Sequence, residues 1–294
     1  MEKTDFYAQS IRRYYPDLSL TQMERIGSGQ NNVIWQIGSD LIFRFPKYEK
    51  GIEQLRLEVK LLDCIAKHVS LKVPLPIYHA FDTDHETYAF MGYAKIEGEP
   101  LTTDRFHRIG NKDARRRIAD QLGGFLMKLH SIDSSSCLYD MDTRYAPLEA
   151  WKALYDRIRA KLYPFMTVKA RTWTDSHFTN FLSLQKAEIT PSIIHGDFGT
   201  SNILYDPLSN QITGIIDFGS AGIGDPAVDY AALLASYGDG FLRLLEEHYP
   251  NIRNMMERVV FYKGTFALQE ALFGLEHGDH TAFQSGITTV NTFG

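Results

Sequence analysis

Cysteine is scarce in this chain: Cys64 and Cys137 are the only two among 294 residues. Neither falls at a metal-ligand spacing, and so sparse a usage fits a reducing compartment better than a secreted, disulfide-bonded domain. The expectation is a cytoplasmic protein in which Cys64, set among Leu61, Leu62 and Ile65, is a buried thiol. Long apolar runs are also missing. Nothing approaches the roughly 18–20 uninterrupted apolar residues of a membrane span, and the start, Met1-Glu2-Lys3-Thr4-Asp5, lacks the apolar core of a signal peptide. No membrane association is expected. Positive charge is in deficit, with 31 Lys and Arg against 36 Asp and Glu and a formal net charge of −5. That balance excludes the basic footprint of a nucleic-acid binder, and the run Arg115–Arg117 reads as the solvated face of a helix. There is no internal repeat and no low-complexity tract. What is present is 44% hydrophobic and 23% charged residues, the composition of an ordinary globular protein. The length suits one large domain or two modest ones, with a core that needs no disulfides.

The first third mixes β and α signals. Val33–Ile37 and Leu41–Phe45 are β-branched and aromatic runs separated by Gly38-Ser39-Asp40, the pattern of a hairpin. Between Ile52 and Val69, Leu55, Val59, Leu62 and Ile65 recur at helical spacing. Thr87–Ile96 reads as a buried strand that runs into Glu97-Gly98-Glu99-Pro100, a turn-rich stretch suited to a hinge. Beyond it the chain is mainly helical. Ile118, Leu122, Phe125 and Leu129 mark one face, Trp151–Leu162 a second, and further helices are expected near Asp229–Ala235, Phe241–His248 and Met255–Leu275. Short β segments are expected at Ser192–His195, Ile203–Tyr205 and Gly214–Asp217. The boundaries that follow are an N-terminal lobe over residues 1–97, a hinge over 98–103 and a helical lobe over 104–294.

Two segments carry chemistry. One is His195-Gly196-Asp197-Phe198-Gly199-Thr200-Ser201-Asn202, and the other, twenty residues past Asp197, is Asp217-Phe218-Gly219. Phosphoryl transfer to a hydroxyl needs a carboxylate to orient the hydroxyl and take its proton, and oxygen ligands to hold Mg²⁺ on the phosphates. Mg²⁺ prefers oxygen donors and keeps few protein contacts, so Asp197 as base with Asn202 and Asp217 as metal ligands meets that need. Each piece alone is an ordinary polar turn; the combination at this distance is specific. Asp225 reads as a helix cap and Asp229 as a buried anchor for the catalytic loop. His195 and His130 have no second ligand at metal spacing and read as packed histidines.

These segments, with the Ser28-Gly29 loop, Phe43-Arg44-Phe45-Pro46-Lys47 and Asp225-Pro226-Ala227-Val228-Asp229-Tyr230, resemble the aminoglycoside phosphotransferase family over nearly the whole chain. The N-terminal half is most similar to the 2″-aminoglycoside kinases; Ala271–Asp279 is similar to macrolide kinases too. The resemblance implies an α+β, bilobal protein-kinase-like fold and transfer of the γ-phosphate of ATP or GTP to a small-molecule alcohol. It makes Asp197 the catalytic aspartate and Asn202 and Asp217 the Mg²⁺ ligands. The usual strand lysine is replaced by Arg44, whose forked guanidinium suits phosphate and carboxylate and whose expected partner is Glu58. Nucleotide contacts are expected from Ser28, from Arg44, and from the hinge backbone of Ala94 and Ile96. Tyr93 stands at the gatekeeper place, where a bulky aromatic accompanies GTP use in the 2″-type enzymes.

The interval after Asp217-Phe218-Gly219 is too short for the activation segment that binds a peptide, so the acceptor is small. An aminoglycoside, as a polycation, asks for carboxylates; the candidates besides Asp197 are Asp239, Glu270 and Glu276, with Asp279 beside them. A less acidic, more aromatic pocket would suit a macrolide, or a metabolic alcohol such as homoserine, choline or a thioribose. A nucleotide-binding pseudokinase is the remaining alternative, which intact Asp197, Asn202 and Asp217 oppose.

Overall fold

The computed structural model describes residues 3–29, 31–81, 88–137, 147–183 and 189–294. Gln30 of the Ser28-Gly29 loop and Thr87 of the expected strand lie outside them. The chain forms two compact units, Met1–Met141 with Thr200–Gly222, and Asp142–Gly199 with Ile223–Gly294.

The first unit opens with helix α1 (Lys3–Tyr14) and a five-stranded antiparallel sheet of β1 (Met23–Ser28), β2 (Asn32–Ile37), β3 (Leu41–Pro46), β4 (Tyr78–Ala80) and β5 (Phe90–Ala94), in the order β1-β2-β3-β5-β4. The hairpin read from Gly38-Ser39-Asp40 is β2–β3, with Trp35 opposite Phe43 and Ile37 opposite Leu41. Ile11, Trp35, Phe43, Phe45 and Phe90 are buried together on one side of this sheet, the side where alternate strand positions must be apolar. Helix α2 (Glu49–Ile65) buries Leu55, Val59, Leu62 and Ile65 as its spacing predicts, and it also buries Glu58.

The chain passes Gly98, whose φ is +140°. A Cβ there would meet Thr213 Oγ1 at 2.4 Å, so backbone conformation and close approach both require glycine. Next, β6 (Glu99–Pro100) joins β8 (Ile203–Asp206) and β9 (Gln211–Ile215) in a small sheet. The helices α3 (Thr103–Arg108), α4 (Lys112–His130) and α5 (Ser134–Cys137) follow. The compact units therefore do not divide at the expected hinge, residues 98–103. Pairing of Glu99 with Tyr205, and the hydrogen bond from the Ile212 amide to Gln121 on α4, hold those segments in the first unit.

Cys64 on α2 and Cys137 on α5 form a disulfide, which corrects the expectation of a buried thiol in Cys64. The two helices bring the Cα atoms within 5.6 Å, inside the range a bridge spans. The 73-residue separation in sequence gives no sign of that approach.

The second unit is mainly helical: α6 (Pro147–Lys161), α7 (Val168–Leu182), α8 (Ala227–His248), α9 (Met256–His277) and α10 (His280–Val290). A two-stranded ribbon pairs β7 (Ser192–Ile194) with β10 (Gly222–Gly224). The two helices expected at 229–235 and 241–248 are one element bent at Gly238, whose φ of +78° is left-handed. No helix among the described residues is long and apolar enough to cross a membrane.

Candidate active site

In the first unit the site grows from Arg44. It stands on β3, between β2 and β5, where it faces Ile34 and Met91. A charge in that position is inside the core, and a buried guanidinium needs partners. It has two. One guanidinium nitrogen forms a short ion pair with Glu58 of α2, and the other reaches Asp217 Oδ1 at 3.2 Å. The pairing with Glu58 expected from the sequence is present and fully internal. The contact to Asp217 was not expected; it spans 173 residues and no local pattern announces it.

Burial acts to lower the pKa of Arg44, and Glu58, Tyr93 and Asp217 together more than offset it, so the guanidinium stays charged. Burial pushes the Glu58 carboxyl upward, against the pull of Arg44 and a hydrogen bond from the Phe218 backbone. Tyr93 lies buried on β5 near this cluster, and desolvation raises its phenol to about 12, keeping it neutral.

Asp217 differs from both partners in exposure. Its side chain is 54% exposed, against 6% for Arg44, and its φ of +62° is left-handed, a conformation uncommon for any residue but glycine. The turn holds a carboxylate in water while its neighbour fixes one oxygen. Asn202 lies next to it in the fold: its backbone carbonyl accepts from the Ile216 amide at 2.9 Å, as β8 and β9 pair Ile203 with Ile215. One carboxylate and one amide oxygen are hard oxygen donors of the kind Mg²⁺ takes.

The other predicted nucleotide residues are also in this unit. Ser28 is exposed at the end of β1, opposite Val33, and Lys47 reaches back to the Gly29 carbonyl at 2.5 Å. Ala94 and Ile96 line a cavity of about 390 Å³ with Leu71 and Val73.

In the second unit Asp197 is exposed on a loop whose preceding residues are tied down. Fully buried Asp229 accepts from the amides of His195 and Gly196, both at 2.9 Å, which is the anchoring read from the sequence. The His195 ring accepts from the Asp197 amide at 3.2 Å, so this histidine braces the loop as expected. The helix-start reading of Asp225 extends further than a cap: it accepts from the Ala227 amide at 3.0 Å, from Arg258 at 2.7 Å and from the Tyr262 hydroxyl at 2.9 Å.

Asp197 lines a cavity of about 540 Å³ together with Trp151, Val228, Ser236, Phe266, Gln269 and Glu270. Of the three acceptor carboxylates proposed beside Asp197, the structure brings only Glu270 to this cavity. Glu276 is taken up in ion pairs with Arg157 and Lys161, and Asp239 follows the Gly238 bend on the exposed side of α8. Asp279 caps α10 through the Thr281 and Ala282 amides. Trp151 and Gln269 line the cavity without having been singled out; α6 and α9 place them, and their sequence context is that of any amphipathic helix. A further cavity of about 580 Å³, between α7 and α9, is lined by His177, Phe181 and Phe261 and contains none of the predicted residues.

An α+β chain with an exposed, anchored aspartate facing a small-molecule cavity, and a buried arginine tied to a helix glutamate, belongs to the class of small-molecule kinases. More particularly, residues 22–258 match the phosphotransferase enzyme family, and the chain belongs to that family; it is a small-molecule O-phosphotransferase. Among curated relatives it is 27% identical over 258 residues to the viomycin phosphotransferase of Streptomyces vinaceus, covering 86% of this chain and 87% of the relative. Among solved structures it superposes on the GDP complex of aminoglycoside 2'-phosphotransferase-IIIa with a TM-score of 0.88 at 25% identity, over 99% of this chain and 98% of the other. The macrolide 2'-phosphotransferase MphH of Brachybacterium faecium matches with a TM-score of 0.72 at 18% identity, over 97% and 98% of the two chains, a likeness of fold.

Proposed function

We propose that this enzyme transfers the γ-phosphate of ATP or GTP, with Mg²⁺, to a hydroxyl of an amine-bearing small molecule. Antibiotics of the kind named for its relatives are the first candidates, with aminoglycosides at their head. The observation that carries the reading is the placement of Asp197: an exposed carboxylate, held by a fixed loop, at a cavity of small-molecule size.

In this reading Asp197 orients the acceptor hydroxyl and accepts its proton as the oxygen attacks phosphorus. Asn202 and Asp217 hold the metal, which when bound supplies charge neutralisation on the triphosphate oxygens. Arg44 orients Asp217 from behind and reaches the phosphates, while Glu58 fixes the fork of Arg44. Ser28 and the Ala94 and Ile96 backbone contact the nucleotide. Tyr93, buried and neutral, fits a donor site that takes GTP as well as ATP, and a relative solved as a GDP complex supports testing both. The functional lobes would run over residues 1–97 and 104–294, in a cytoplasmic enzyme.

The test is acceptor-dependent triphosphate consumption, with ATP and GTP in parallel. Asp197→Ala is expected to lower kcat by about 10²–10⁴-fold, the usual contribution of a general base, and to leave nucleotide affinity within a few-fold. Full activity in that variant refutes the assignment. Asp217→Ala is expected to abolish Mg²⁺-dependent triphosphate binding, and unchanged affinity would remove it from the metal site.

A further inference from the structure

Within the second unit a series of direct contacts runs from the wall of the Asp197 cavity, through Asp225, back to the loop that carries Asp197. Asp225 stands just before α8 with its side chain fully buried. A buried carboxylate needs partners, and α9 supplies two. Arg258 meets both of its oxygens, at 2.7 and 3.3 Å, and the Tyr262 hydroxyl donates to Oδ2 at 2.9 Å. Four residues apart, Arg258 and Tyr262 share one face of α9, and that face grips the start of α8. The two grips differ in kind. Arg258 supplies the counter-charge; the hydroxyl of Tyr262 adds direction and no charge. From Asp225 the contacts continue. Its carbonyl accepts from the Val228 amide at 3.0 Å, which sets the first turn of α8. Asp229 in that turn holds the His195 and Gly196 amides, both at 2.9 Å, and Asp197 is the next residue. The Tyr262 ring, meanwhile, lines the Asp197 cavity beside Trp151, with ring centroids 5.3 Å apart.

We propose that Tyr262 is a positioning residue for phosphoryl transfer: through Asp225 and the first turn of α8, its hydroxyl sets the loop that carries Asp197. This rests on the phosphotransfer reading above and extends it. The hydroxyl acts through Asp225 and not on the reacting atoms. A misplacement of about 1 Å at a reacting group can cost about 10²-fold in rate, so a slight rotation of the start of α8 is enough to matter. The ring and the hydroxyl of Tyr262 therefore have separable effects, one on the wall of the cavity and the other on the loop.

Tyr262→Phe removes the hydroxyl, keeps the ring, and leaves the Asp225 charge paired with Arg258, so the variant is expected to fold. Amide hydrogen exchange on the full chain reads the loop directly and needs no acceptor. The His195 and Gly196 amides should exchange about tenfold faster in Tyr262→Phe, because opening of their bonds to Asp229 is what exposes them. Amides of α7, in the same unit, should keep their parental rates; a general loosening that speeds α7 as much as the loop overturns the proposal. Transfer is followed with kanamycin, or with water as the acceptor if kanamycin is not phosphorylated. The expected kcat is about tenfold lower, with the KM for kanamycin within about twofold. In an Asp197→Ala background the same substitution should change kcat by less than about twofold, since the hydroxyl works only through that carboxylate. Parental exchange at His195 and Gly196, parental kcat, or an equal fall with and without Asp197 overturns the proposal. Arg258→Lys, which keeps a charge on Asp225 and gives up the fork, is the second variant should Tyr262→Phe fail to fold. It should show the same pattern, and parental exchange and kcat there overturn the proposal equally. Failure of the phosphotransfer reading shows elsewhere, as turnover that survives Asp197→Ala, so the two results are separable.

Discussion

At the residue scale the decisive feature is a buried charge used twice. Arg44 is held by Glu58 inside the first unit and reaches Asp217 at the surface, so one side chain links core packing to the proposed metal ligand. Removing one member of such a pair strands the other in a poorly solvated place and costs about 3–5 kcal/mol. Arg44→Met is therefore expected to lower stability by that amount. Adding Glu58→Leu should recover much of the loss, measured as a double-mutant cycle in urea midpoints. Arg44→Lys should keep the fold, since a charge remains, yet lose function, because one ammonium cannot span both carboxylates as the fork does. A second residue sets a pH limit. Burial lowers the pKa of His177, against a hydrogen bond with the Phe261 carbonyl at 2.9 Å that acts to raise it. A folded-state pKa below the unfolded value means that this group destabilises the fold only where the unfolded chain gains the proton first. Stability is thus full above about pH 6.5 and declines as pH falls through and below that value. His177→Gln should flatten the decline between pH 7 and 5 in a urea-midpoint series.

At the element scale, local pattern decided what the sequence could say. The β2–β3 hairpin, α2, α4 and α9 were legible because each has a clean period and a bounded turn, and the Asp197 loop was legible because its residues lie within eight positions. β1 passed unmarked apart from Ser28 at its end, which was read with Gly29 as a loop; Met23–Ser28 has mostly exposed side chains, so it shows no alternation. Helices α1 and α7 passed unmarked because their apolar residues are diluted by polar ones, as in Lys169, Arg171 and Asp175 along α7. The Arg44–Asp217 contact and the Cys64–Cys137 bridge join segments 173 and 73 residues apart, and only the folded chain brings them together. The bridge yields its own prediction. It fastens α5 to the helix that carries Glu58, closing a long loop, and such closure stabilises by about 2–4 kcal/mol. Replacing both cysteines by serine, or adding a strong reductant, should lower the urea midpoint accordingly, with equal effects of the two treatments. No change on reduction would mean the bond does not form in solution. The Asp225–Arg258–Tyr262 cluster does the same work without covalency, fixing the start of α8 to α9.

At the scale of the whole molecule, the division into two compact units separates the two halves of the proposed reaction. The proposed metal ligands Asn202 and Asp217, with Arg44 and the Ala94–Ile96 cavity, belong to the first unit, while Asp197 and the proposed acceptor cavity belong to the second. A chain built this way need not unfold in one step, and ligands then stabilise the unit that binds them. A ligand at about one hundred times its Kd adds about 2.7 kcal/mol, which for a unit of this size raises its melting temperature by about 5–10 °C. Scanning calorimetry with a Mg²⁺-bound, non-hydrolysable triphosphate should move the transition of the first unit. The same ligand should leave Asp217→Ala where it was and shift Asp197→Ala as it shifts the parent, because only the former loses a nucleotide-side ligand. An acceptor should move the other transition, and should move it in Asp217→Ala as it does in the parent. If the triphosphate moved neither transition, or moved Asp217→Ala as far as the parent, the assignment of donor and acceptor to separate units would be refuted by the same set of scans.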